Sequence, residues 1–120
     1  MKPSEIIVAD AVNRGVQPEI VLRRVLKILK DKTAVMLQKN DSVLVLEDIG
    51  NKSAALYLFT QDQPMTLARS VKSFIDTIKK SDLQAVYGRA DNPQIIGLLQ
   101  SLGVPVQESD NPKYNWMAMV

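Results

Sequence analysis

Between residues 34 and 60 the hydrophobic pattern shortens to the period of a strand, and no other feature constrains the fold as much. Residues 34–38, 43–47 and 54–60 are β-rich runs, separated by Lys39-Asn40-Asp41 and Ile49-Gly50-Asn51-Lys52. Asparagine, aspartate and glycine supply the turn conformations that join antiparallel neighbours, so the three runs read as a meander. Within it, Val43-Leu44-Val45-Leu46 is apolar without a break. A half-solvated strand would alternate, so this one is expected to be covered on both faces.

Amphipathic helices to cover it lie on both sides in the sequence. Over 17–31, Pro18 suits a first helical turn and Glu19 complements the positive dipole end. Ile20, Leu22, Val25, Leu26 and Leu29 follow as a stripe. Residues 4–14 read either as a helix capped by Ser4 or as a strand over 5–8; the helix is the favoured reading, closed by Gly15. Downstream, Gln61 to Thr66 read as a polar loop, after which Leu67, Val71, Phe74, Ile75 and Ile78 mark a helix that ends near Lys79-Lys80. A short strand over 83–87 follows. Asn92-Pro93 then opens a helix that Gly103 stops, and strands over 104–108 and 116–120 complete the pattern. The order predicts one α/β (α+β) domain over 1–120: a helical part at 1–32, then at 33–120 a mixed, mostly antiparallel sheet with two helices.

Composition narrows the chemistry. The 120 residues include no cysteine and no histidine. That removes thiolate nucleophiles, imidazole bases and the commonest transition-metal ligands, and no metal site is expected. A net charge of +2 is too mild to declare a nucleic-acid or membrane partner. No apolar run approaches the ~20 residues of a membrane span. Nor does an apolar segment follow Lys2 as in a signal peptide, so a soluble, intracellular origin is expected.

The element order resembles the GNAT (N-acetyltransferase-like) fold over roughly residues 34–120. One motif carries the likeness locally: Asn92-Pro93-Gln94-Ile95-Ile96-Gly97-Leu98-Leu99-Gln100-Ser101-Leu102-Gly103-Val104 keeps the spacing with which that family enters its last helix and leaves it at a glycine. The resemblance implies acetyl-CoA as cofactor, with glycine-rich backbone N–H groups cradling its pyrophosphate ahead of the central helix. The corresponding stretch here, Gln61-Asp62-Gln63-Pro64-Met65-Thr66, has no glycine, a proline without an N–H, and a carboxylate opposed to phosphate. The tyrosine that serves the family as general acid falls at Leu99. Two parts of the enzyme are missing, so the expectation is a fold kept without the reaction and without a cofactor.

A narrower resemblance, over residues 54–120, is to the small GNAT-like internal virion proteins of short-tailed phages. Thr60-Gln61-Asp62-Gln63 at a strand end, a basic amphipathic helix, and Asn92, Ile96, Leu99 and Gly103 at matching spacing carry it, while the N-terminal third departs. It implies a non-catalytic component of the virion or its DNA-ejection apparatus, working by protein contact or self-association, in the virion or the host cytoplasm. The alternatives are an acyl-CoA-dependent N-acetyltransferase with a degraded phosphate loop, or a host-directed phage binding module.

Among individual residues, Tyr57, Phe59 and Tyr87 suit core packing, although Tyr87, beside Gly88 and Arg89, also suits a cleft. Of the meander carboxylates Asp41, Glu47 and Asp48, the best candidate base is Glu47. Lys113, Tyr114 and Trp116 fit either an interface or core coverage. Arg23, Arg24, Lys27 and Lys30, running on to Lys32, form the most basic stretch, a solvated face or a contact for an acidic partner. With Arg69, Lys72, Lys79 and Lys80 they are the candidates for any DNA contact, but no aromatic platform interleaves them.

Overall fold

The computed structural model describes residues 1–31, 33–89 and 93–120. Lys32, at the end of the basic run, and Asn92, expected to cap the last helix, lie outside the described residues. The elements follow the expected order: α1 (Pro3–Asn13), α2 (Pro18–Lys30), β1 (Ala34–Lys39), β2 (Ser42–Gly50), β3 (Ser53–Thr60), α3 (Pro64–Lys79), β4 (Ala85–Gly88), α4 (Pro93–Ser101), β5 (Val106–Glu108) and β6 (Trp116–Met119).

The ambiguous first segment is a helix. It does not start on Ser4, which lies inside α1. Its first turn is closed by Glu5, whose carboxylate accepts the Lys2 N–H at 2.9 Å. Helix α3 begins at Pro64, so Pro64, Met65 and Thr66 belong to its first turn and not to a loop. Proline fits there because its missing N–H has no helical partner in any case.

The sheet runs β1-β2-β3-β4-β6-β5. The meander β1-β2-β3 is antiparallel, β3 and β4 are parallel, and β6 is antiparallel to both β4 and β5. A parallel pair needs a crossover, which α3 supplies. Helices α1 and α2 cover one face, where Ile6, Ile7 and Val25 pack with Val43, Val45 and Phe59. Helices α3 and α4 cover the other, where Phe74, Ile75 and Leu99 pack with Leu44, Leu46 and Leu56. The run Val43-Leu44-Val45-Leu46 is thus buried on both sides, each such side chain contributing about 1.5–3 kcal/mol.

One helical stripe differs from its expectation. Val25 of α2 is buried, and Val21, Leu22 and Leu29 pack beside it, but Ile20 and Leu26 stand 51% and 56% exposed. The helix rests on the sheet along the 21-22-25-29 line, which turns Ile20 and Leu26 out to solvent. No helix among the described residues is long and apolar enough to cross a membrane.

Candidate functional site

Pairing between β3 and β4 covers Ser53–Ala55 against Ala85–Tyr87 and then stops, while β3 runs on to Thr60. The two strands part beyond that point, and the gap opens into a cleft of about 580 Å³. Its walls come from α2 through Arg24 and Lys27, from β2 and β3 through Glu47 and Tyr57, and from the end of β4 through Gly88 and Arg89, with Trp116 beside them.

Glu47, the candidate base, stands at this cleft half-buried and accepts the Tyr57 hydroxyl at 3.0 Å. Burial pushes the Tyr57 phenol well above its ordinary 10.0, and the charge and hydrogen bond of Glu47 add to the shift. Tyr114 is raised by burial and by Glu47, an effect that Arg89 opposes. Tyr87 is raised first by its 2.7 Å hydrogen bond to Asp110 and then by burial. The rings of Tyr87 and Tyr114 meet at 5.7 Å. Chemically, Glu47 can accept a proton or receive a cation, while the tyrosines remain neutral donors. Asp41 and Asp48, the other meander carboxylates, are engaged elsewhere: Asp48 accepts the Gly50 N–H at 2.8 Å, and Asp41 pairs with the N-terminal amine at 3.5 Å.

The stretch 61–66 is held from within. The Asp62 carboxylate accepts the Asp41 N–H at 3.0 Å, the Ser42 hydroxyl at 2.6 Å and the Ser70 hydroxyl at 3.0 Å. Ser42 and Ser70 are fully buried, and Thr60 Oγ1 both shares a 2.7 Å hydrogen bond with Ser42 and accepts the Asp62 N–H at 3.0 Å. The Asp62 carboxylate is thus engaged with the start of β2 and with Ser70, its charge lies within the stretch that leads into α3, and Pro64 withholds an N–H at the first position of that helix. These residues do not fit the pyrophosphate of a coenzyme. Leu99 lies in the core at 2% exposure, with no group to donate a proton.

The interface candidates separate. Of the two roles open to Trp116, the structure gives core coverage over an interface: it is 4% exposed, its indole passes beneath Gly88, and its Nε1–H donates to the Arg89 carbonyl at 3.3 Å. Tyr114 is half-buried and Lys113 exposed. Arg23, Arg24 and Lys27 are exposed on α2, and Arg24 and Lys27 face the cleft. The second basic set, Arg69, Lys72, Lys79 and Lys80, is exposed on and just beyond α3, across the sheet from α2. The two sets do not form one surface.

Two features went unread in the sequence. Asp10 in α1 is 5% exposed; its carboxylate accepts the Arg14 Nε–H at 2.7 Å and the Thr60 backbone N–H at 3.1 Å. Gly88 has a steric reason, since a methyl group there would overlap the Trp116 ring. An aspartate among apolar residues at 6, 7 and 11 was a signal for the first, and nothing local signalled the second.

No protein-family model matches the sequence, and no curated protein matches it significantly. Solved structures do match. A chimera of the spermidine N-acetyltransferase SpeG from Vibrio cholerae and hSSAT has a TM-score of 0.54 at 12% identity, covering 99% of this chain and 91% of that one. Mutant forms of the spermidine/spermine N-acetyltransferase SpeG from Vibrio cholerae give 0.56 at 15% identity, covering 97% and 85%. At such identities the likeness is one of fold. The chain has the GNAT-like fold, a mixed six-stranded sheet between two pairs of helices.

Proposed function

We propose that this chain is a GNAT-like domain without acyl transfer that works through contacts with protein partners, as a component of a phage particle or its ejection apparatus. One observation carries the first half. Asp62, bound to the Asp41 N–H, Ser42 and Ser70, places a fixed negative charge in the stretch that would receive coenzyme phosphates. The absence of glycine there, Pro64 at the head of α3 and the buried Leu99 agree with it. The particle setting rests on the resemblance carried by Thr60-Gln61-Asp62-Gln63 and by Ile96, Leu99 and Gly103.

Calorimetric titration with acetyl-CoA tests the first half: no specific heat is expected, and a micromolar constant overturns it. Purified virions test the second half. The chain should be present there at a stoichiometric, symmetry-compatible copy number, and its absence leaves a free binding module, in the host cytoplasm, as the surviving version.

A second reading, an acyl-CoA-dependent N-acetyltransferase, is favoured by the open cleft beside Glu47 and Tyr57. If acetyl-CoA binds and turns over, Glu47→Gln should abolish turnover while leaving coenzyme affinity unchanged.

A further inference from the structure

We infer that the cleft between β3 and β4 receives an extended, acidic segment of a protein partner, which pairs its main chain with the open edge of β3 and its carboxylates with Arg24, Lys27 and Arg89. This rests on the contact-based reading above and names the chemistry of the contact.

The Gln61 N–H donates to Asp41 O at 2.9 Å, toward β2, whereas the Thr60 N–H points the other way to the Asp10 carboxylate. Hydrogen-bonding direction alternates along a strand, so Leu58 and Leu56 also face away from β2, toward the parted β4. Pairing with β4 ends at Ala55 and Tyr87. Asp10 closes the edge at Thr60, which leaves the N–H and C=O of Leu58 without a ladder partner along the cleft among the described residues. Backbone groups of that kind are the template on which an extended peptide adds as a strand.

The charges around the cleft favour an acidic occupant. Arg14 is already paired with Asp10 and lies over the Phe59 ring at 5.9 Å. Arg24, Lys27 and Arg89 border the same cleft, are exposed, and make no ion pair among the described residues. Facing them are Asp31 and Glu47, the latter bonded to Tyr57. Among the described residues the unpaired cations Arg24, Lys27 and Arg89 outnumber the two carboxylates Asp31 and Glu47, so a cationic segment is disfavoured and an acidic one attracted. DNA is the weaker fit, because the basic sets of α2 and α3 lie on opposite faces of the sheet.

The experiment uses a defined probe: an acetylated, amidated octapeptide alternating glutamate and valine, with its lysine–valine counterpart as control. Trp116, the one tryptophan of the sequence, borders the cleft and reports binding by fluorescence. Amide exchange at Leu58 reports strand pairing. The glutamate peptide is expected to bind with Kd below about 1 mM and to slow Leu58 exchange by at least about tenfold. The lysine peptide should do neither. Arg24→Glu and Arg89→Glu should each weaken binding by about tenfold; if one variant loses its fold by circular dichroism, the other carries the test. No binding, binding that leaves Leu58 exchange unchanged, or equal affinity for a single-stranded DNA oligonucleotide overturns the inference. A parallel acetyl-CoA titration separates the two failures: coenzyme binding sinks the functional reading, whereas peptide failure alone sinks only this one.

Discussion

Asp10 of α1 and Thr60 of β3 are joined by a 3.1 Å hydrogen bond from the Thr60 backbone N–H to the Asp10 carboxylate, fifty residues apart in sequence. The other carboxylate oxygen holds Arg14 at 2.7 Å. One buried side chain thus fastens the first helix to the far end of the central strand.

Asp10→Ala should destabilise the protein by roughly 1–3 kcal/mol, chiefly because it strands the Thr60 backbone N–H, while the exposed Arg14 can turn to water. Denaturant unfolding measures the loss. A change under about 0.5 kcal/mol means that the contact contributes little.

Gly88→Ala should cost about 1–3 kcal/mol, because its methyl group overlaps the Trp116 indole and forces the ring aside. Trp116 fluorescence should shift in the same variant. An unchanged spectrum would show that the ring does not lie beneath this strand.

Asp62→Ala should remove about 2–3 kcal/mol of stability by leaving the buried Ser42 and Ser70 hydroxyls with fewer acceptors. It should not create acetyl-CoA binding, since no glycine enters the loop and Pro64 still lacks an N–H. Calorimetry of the variant checks this.

Tyr57, Tyr87 and Tyr114 are all raised above the ordinary 10.0. The folded state then keeps protons that the unfolded chain releases above pH 10, so this contribution to stability is complete below that pH and declines as pH rises through the folded values. Ultraviolet titration of the folded protein should show tyrosinate forming late, and Glu47→Gln should bring the Tyr57 step down. A tyrosine that ionises at its ordinary value contradicts the assignment.

The element order was legible because Val43-Leu44-Val45-Leu46 and the turns around Asn40 and Gly50 admit few arrangements. The start of α3 is hidden in the sequence because Pro64 suits a polar loop and a helix's first turn equally. Helical spacing does not say which line of residues a sheet will meet, so α2 rests on Val21, Leu22, Val25 and Leu29, with Val21 in place of the expected Ile20 and Leu26. The site was harder still. Glu47 could be named as a carboxylate, but Tyr57 lies ten residues away across a hairpin, and Trp116 reaches Arg89 only through a strand pairing that local patterns do not encode.

The last strand lies between two that precede it in the chain. β6 pairs with β4 on one side and β5 on the other, so β5 has no place in the sheet until residues 116–119 are present. On a ribosome, everything up to the loop before Trp116 emerges with one edge of β4 bare, its backbone N–H and C=O groups still without the partners that β6 supplies. That interval is when a nascent chain is most exposed to pairing with a neighbour, and it ends only when the final hairpin slots into place.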